Sequence, residues 1–337
     1  SASIAIGGTS QITAVGGANF VASTHHLLET TADASATDGD ALGNAAAVGM
    51  ASDHASVTVT GYVTVGEQTP RLTLRAGETA ASISSVEAIS GAGAADALGE
   101  AGALALNFVS VSPTAMITGA VHGDRLDVFV SATATVVADA VARARLATGD
   151  AGGGIGASFA STRLDDDLTV AVYAGALVEG VDDLTLVASG SDDASAAAWA
   201  GGEGGSAVSP ATALSISDSD SMVVIDSARP IEITGTLTMN ALRGHTSSTT
   251  AVAESTGADV AAGAALALDY GAQNDQVVLA GTISAGAVGL VARSTFDGTT
   301  RATGSSRGAG DDISAAGRAN AAMAAAAGTT DGGPSSL

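Results

Sequence analysis

Along most of the chain, apolar residues alternate with Ser, Thr, Asp or Gly, the period-two pattern of a half-buried strand. Strand-like runs begin at Val57, Thr114, Leu168, Met222 and Gln276, at spacings of 57, 54, 54 and 54 residues. A second row of apolar centres is Phe20, Leu72, Val128, Leu186, Leu237 and Leu290, and a third is Met50, Leu106, Phe159, Leu214, Leu268 and Met323. Three rows with one spacing predict six units of about 54 residues, bounded 1–55, 56–112, 113–166, 167–220, 221–274 and 275–327. Residues 328–337 are expected to form a flexible C-terminal tail.

Each unit has the same texture. A strand leads into a turn built from Gly, Asp or Glu, as at Gly123-Asp124 or Gly180 to Asp183. A second strand, an Ala-rich stretch such as the one around Trp199, and a third strand such as the one around Leu214 follow. Ala favours helix by propensity, but Gly interrupts these stretches every few residues and alternation runs through them. Strands and tight turns of this size cannot bury an inner face alone, whereas stacking unit on unit does so. The expected fold is therefore all-β: a single parallel β-helix, or β-solenoid, over residues 1–327. Its interior is expected to be narrow, with ladders of Leu, Ile, Met and some Phe, and two coils per unit are favoured. An array of separate β-sandwiches is less consistent, because no unit carries enough bulky residues for its own core.

Composition narrows the chemistry. The 337 residues include no Cys and no Lys; 12 Arg face 35 acids, for a net charge of −23. Without Lys there is no Walker-type phosphate loop and no Schiff base. Without Cys there is no disulfide framework, thiol nucleophile or cysteine metal site. Strong acidity without a basic patch excludes nucleic acid as a partner. No stretch is long and apolar enough to span a membrane as a helix. The chain opens at Ser1 with no apolar leader, as a processed form or an excised piece would. Acidity, the lack of Lys and the small-residue bias point to an exported, extracellular surface protein.

The Thr/Val alternation, the turn at Gly175-Ala-Leu-Val178 and the Ala-rich run 140–149 ending in Thr148-Gly149 resemble the repeat regions of large secreted bacterial filamentous adhesins, the β-strand-repeat or leukotoxin-like family. The resemblance covers essentially the whole chain and rests on texture and period. It implies export, a β-solenoid shaft, and a structural or adhesive role in attachment or biofilm. It carries over no catalytic residue.

Candidate sites are sparse. Acidic clusters sit at strand-entry turns, and turn carboxylates can hold Ca²⁺; the register of Asp165, Asp166 and Asp167 with Asp218 and Asp220 is the best candidate. Against it, Asp is a turn former that keeps a rod soluble, and no calcium nonapeptide or EF-hand loop is present. No other cofactor is expected. His25, His26, His54, His122 and His245 show no metal-ligand spacing and are expected at surface or turn positions. Gly304-Ser-Ser306-Arg-Gly308 matches the G-x-S-x-G string, yet its flanks are polar, so a loop is expected rather than a nucleophile elbow. Ser is too frequent for a catalytic triad to be identified.

A non-enzymatic protein is expected, with a polysaccharide-binding or polysaccharide-degrading β-helix as the alternative. Asp124 with Arg125, Arg143 with Arg145, and Arg163 with Asp165 are the local candidates for such a role, and Trp199 and Tyr173 could offer ring faces. A groove where acids and Arg converge with Trp199 or Tyr173 would favour that alternative. The N-terminal end lacks a capping helix, so the expected partners are other copies stacked end to end, or the continuation of a longer adhesin, together with surface glycans or matrix proteins.

Overall fold

A computed structural model describes residues 1–66, 70–78, 80–94, 97–149 and 151–308. The predicted end of the sixth unit, including Met323, and the predicted tail 328–337 lie outside the described residues. In chain order the strands are β1 (Ala2–Ile6), β2 (Gln11–Ala14), β3 (Ala18–Thr24), β4 (Leu27–Thr37), β5 (Ala41–Asp53) and β6 (Ala55–Val59). Next come β7 (Tyr62–Val65), β8 (Arg71–Glu78), β9 (Ser82–Ala94), β10 (Leu98–Val111), β11 (Thr114–Ile117) and β12 (Ala120–Thr148). The last are β13 (Gly153–Val172), β14 (Leu177–Asp226), β15 (Ile231–Glu232), β16 (Thr236–Ala280), β17 (Ile283–Ser284) and β18 (Ala287–Gly308). There is no helix among the described residues, and the Ala-rich stretches are strand.

Sixteen strands form one sheet, and β15 and β17 form a small second one. Every pairing is parallel. Partners lie between 51 residues apart (Leu237 on Val288) and 58 apart (Ala41 on Gly99). Strands therefore pair across about one full predicted unit and not across half of one, which does not fit the expected two coils per unit. The chain must bend to achieve this. At roughly 3.3 Å per residue, the 50 residues of β14 would extend roughly 165 Å if straight. The sheet instead curls into a half-barrel.

The predicted turns become bends and bulges within long strands. Registers shift between His122, Leu126 and Val128, where β12 lies on β14. Gly180 takes φ +68° there, with its Cα against the carbonyl of Gly123, so a side chain is excluded on both counts.

Two buried clusters fill the inside. One is aliphatic and includes Val57, Val59, Leu72, Leu74, Ile117, Leu126, Leu184, Leu186 and Leu237. The other is almost wholly Ala, with Ala45, Ala88, Ala101, Ala142, Ala160, Ala198 and Ala213 among its members. The Ala cluster lies between two facing walls. Wall one consists of β4, β9 and the stretches 136–148 of β12, 192–204 of β14, 245–257 of β16 and 296–308 of β18. Wall two consists of β5, β10 and the stretches 153–166 of β13, 206–219 of β14 and 260–273 of β16. Facing Cα atoms approach within 8 Å, closer than the roughly 10 Å of ordinary stacked sheets. A Cβ on Gly43 would strike the Gly91 carbonyl opposite. Asn107 bridges the gap, donating from Nδ2 to the carbonyls of Ser84 (2.8 Å) and Asp139 (3.0 Å).

The three apolar rows meet different fates. The second resolves into two inward ladders two residues apart: Leu72–Val128–Leu184–Leu237, and Leu74–Val130–Leu186–Met239, onto which Phe20 and Leu290 stack. The predicted centres were drawn from both, and a two-residue slip keeps the face. In the first row, Met222 pairs with Gln276 as the spacing predicts, while Val57 pairs with Ala115 and Thr114 with Thr169, each one position past the predicted start. The third row faces outward. Leu214 and Leu268 are paired neighbours, but Leu268 is 50% exposed and Met50 77%. Most of the apolar side chains buried between the walls are Ala, and wall two turns many of its larger apolar residues away from the interior.

Leu186→Ala should therefore cost roughly 2–5 kcal/mol in denaturant unfolding, while Leu268→Ala should change stability by no more than roughly 0.5 kcal/mol. Equal losses would show that wall two is assigned the wrong face.

Candidate functional site

The most unusual interior chemistry lies where the aliphatic and Ala clusters meet. The inward column of wall one runs Ser82, Val136, Asp192, His245, and that of wall two runs Asp53, Val111, Asp166, Ser219. Polar and charged groups thus follow Val at equivalent positions. Arg243 lies on the column of Ala134 and Gly190, and its guanidinium occupies the space a Gly190 side chain would fill.

Arg243 is the hub. Its Nε donates to Asp192 Oδ2 at 3.1 Å, and its Nη2 lies 3.0 Å from the same oxygen. Nη2 also contacts Asp166 Oδ2 and donates to the Asp166 carbonyl at 3.1 Å. Ser219 Oγ donates to Asp192 Oδ2 at 2.7 Å. The side chains of Arg243, Asp166 and Asp192 are 0% exposed. Burial pushes the Asp166 carboxyl well above the usual range, the nearby Asp192 charge adds to this, and Arg243 opposes it without prevailing. For Asp192 burial also acts upward, but the His245 ring, Arg243, Asp166 and Ser219 outweigh it, and this carboxyl lies below its ordinary value. The two carboxyls are thus pushed apart: Asp166 upward, toward its neutral form, and Asp192 downward, toward the charged form that pairs with Arg243.

His245 completes the group, and it is buried rather than at a surface or turn position. Its Nε2 is 2.9 Å from Ser217 Oγ, and its Nδ1 is 3.9 Å from Asp192 Oδ2, beyond hydrogen-bond distance. Phe296 stacks on the ring, with centroids 5.1 Å apart and planes at 19°. Ser217, His245 and Asp192 thus bring together the residue types of a hydrolytic triad. However, Ser217 is 1% exposed and the two partners 3% each, so no substrate can reach the hydroxyl. The arrangement bonds wall one to wall two across the interior.

The signal for this cluster was present in the alternation. From Leu237 the inward positions run Met239, Ala241, Arg243, His245; from Leu164 the next is Asp166; from Leu186 the series runs Ala188, Gly190, Asp192. Counting parity from the ladders places every charged member inside.

The proposed calcium register is divided. Asp166 points inward to Arg243, whereas Asp165 lies beside Asp218 and Asp167 beside Asp220 on the outer surface. Partial burial and then the neighbouring acids raise Asp167, and burial and then Asp218 raise Asp220. Among the described residues no group of three or more His, Asp or Glu is arranged to hold a metal. Gly304 to Gly308 is the end of strand β18, not a loop. Arg125 stands 4.0 Å from Asp182 at an exposed bulge. Arg163 and Asp165 line an outer cavity with Met50 and Phe108.

A second site lies on the outer surface of wall one. A groove of about 560 Å³ is lined by Trp199, Arg143, Arg145, Glu203, Glu254 and Val252 among others. Ile89, Arg143, Trp199 and Val252 form one outward ladder, and Gly91, Arg145, Gly201 and Glu254 the next. A Cβ on Gly91 would meet nothing within 4 Å, and one on Gly201 only a carbonyl at 3.9 Å, so the missing side chains leave the groove open. The Arg143 guanidinium lies 5.0 Å from the Trp199 ring centroid and is paired with Glu87. Arg143, Arg145 and Trp199, separate candidates in the sequence, are brought together here. Tyr173 is not: it stands at the bend after β13, with its N–H bonded to the Ile117 carbonyl.

Comparisons with family models, with curated proteins and with solved structures found no match.

Two outcomes follow for the buried cluster. Arg243→Met should lose roughly 3–5 kcal/mol, because it strands a buried carboxylate. The combination Asp166→Val, Asp192→Val and Arg243→Ala copies earlier residues of the same columns (Val111 and Val136 next to the two Asp, Ala134 beyond Gly190) and should recover that loss in denaturant unfolding. The pH dependence has a defined sign. The raised Asp166 contributes stability that is fully present below the unfolded value of about 3.9 and is lost as pH rises through its folded value. The depressed Asp192 acts oppositely, its contribution vanishing as pH falls through its folded value. Asp166→Asn, which mimics the protonated acid, should therefore gain on the unsubstituted chain as pH rises above about 4. A stability difference that does not change with pH would contradict the assignment.

Proposed function

We propose that the chain is a non-enzymatic extracellular structural and adhesive element: a parallel β-helix acting as the shaft of a surface adhesin, or as a subunit of a surface filament, in attachment or biofilm. The observation that carries this reading is the parallel pairing repeated at one-unit offsets, from Ala2 on Ala55 to Thr236 on Ala287. Turns of chain stacked at about 4.8 Å lengthen a rod along one axis, and each new turn buries the inner face of the last. The six units of about 54 residues belong to the same reading.

The sealing of Ser217, His245 and Asp192 supports a structural role for the one triad-like arrangement described. Export and surface location are supported by the absence of Cys and Lys and by the adhesin-like texture. Among the described residues β1 pairs only with β6, and β18 only with β16. An unpaired strand edge is a template for another strand, supplied by a second copy end to end or by further chain of a longer adhesin.

The groove at Trp199 favours a second reading, polysaccharide binding, because it places acids, Arg and a ring side by side. The two readings are compatible, since a shaft can carry contact sites along its side.

Negative-stain micrographs and fibre diffraction of the isolated chain test the principal reading. Thin straight rods with an axial reflection near 4.8 Å are expected, and light scattering should show lengthening with concentration if copies add end to end. Round particles without an axial repeat would overturn it.

A further inference from the structure

We infer that the Trp199 groove is a subsite for an uncharged polysaccharide, a deepening that rests on the polysaccharide-binding reading. Its position along the side of wall one leaves it open whatever adjoins the ends of the sheet.

The choice of ligand class follows from the charges. Arg143 and Arg145 are offset by Glu203 and Glu254 in the lining and by Glu87 beside Arg143, so the groove carries no net positive charge. Arg143 is further satisfied by Glu87 and by the Trp199 ring. An acidic glycan would meet Glu203 and Glu254 and a chain of net charge −23. A cationic ligand would meet both Arg, and the ring contact it would seek is already made by Arg143. A polyhydroxyl ligand without charge suits the lining, since each hydroxyl both donates and accepts. Arg145 offers donors, Glu203 and Glu254 offer acceptors, and the half-buried indole with Val252 and Ile89 offers an apolar surface for the C–H side of a sugar ring. These side chains project from paired strands, and the space between them is set by glycines, so the site exists before the ligand arrives.

Trp199 is the only Trp in the chain, so indole fluorescence reports from this groove alone. The full chain is titrated with cellohexaose and maltohexaose as uncharged probes, and with hexagalacturonate and a chitosan hexamer as charged ones. A saturable change in emission with at least one uncharged probe, and none with the charged probes, is expected. Arg145→Ala and Glu254→Gln should each weaken that binding at least tenfold while leaving far-UV circular dichroism unchanged. Calorimetry on Trp199→Ala should show the heat of binding lost. Saturable binding of hexagalacturonate or the chitosan hexamer alone would overturn the uncharged class but leave polysaccharide binding standing. No saturable response to any probe, or binding indifferent to Arg145→Ala and Glu254→Gln, would overturn the groove as a site. Neither result bears on the rods expected in micrographs, so failure of the site and failure of the shaft are distinguishable.

Discussion

The structure depends on the spacing between two facing walls. Their Cα atoms approach within 8 Å, and the apolar side chains buried between them are, Val86 and Leu146 apart, all Ala. Such residues contribute little apolar area each, so the walls must face each other along their whole length to bury enough. Most of the larger buried Val, Leu and Ile side chains gather in the other, aliphatic cluster. One cross-section thus holds two kinds of core, and its sequence cost is the abundance of Ala and Gly. The wall that can take no bulk inside displays it outside, which accounts for the exposed Leu, Phe and Met of wall two.

The same geometry explains the buried ionic cluster. At the junction of the two cores the inward columns hold Val111 and Val136, and then Asp166, Asp192, Ser219 and His245. Gly190 supplies space for the guanidinium there, since a side chain at that position would meet Arg243. A buried ion pair is poor evidence for added stability. Its bonds do, however, tie successive turns of both walls to one register, since Arg243 reaches Asp192 and Asp166, 51 and 77 residues back. In a stack of similar parallel strands, where a slip of two residues keeps every face, such a cluster distinguishes one register from its neighbours. This is a structural task, and the resemblance of Ser217, His245 and Asp192 to a hydrolytic triad follows from having donors and acceptors packed closely in a dry place.

The outer surface follows separate rules. On wall one, Gly91 and Gly201 interrupt the outward ladders beside Arg145 and leave a groove with balanced charge around the one indole. On wall two, Asp165 beside Asp218 and Asp167 beside Asp220 form ladders of like charge. Both arrangements arise because parallel pairing places equivalent positions of successive units side by side.

The sequence by itself determined the strand content and the spacing of about 54 residues between residues that become neighbours, because alternation and period are local properties of the chain. It also identified Trp199, Arg143 and Arg145 as groups worth locating, though not that they share a groove with Glu203 and Glu254. Tertiary structure alone decided which side of each strand faces inward. In wall two both alternating sets are apolar, small on one side and large on the other, so hydrophobicity alone gives no preference. The preference comes from the distance to wall one, a property of residues 20 to 60 positions away. The same distance draws Asp166 and His245 inside and leaves Leu268 and Tyr270 in solvent.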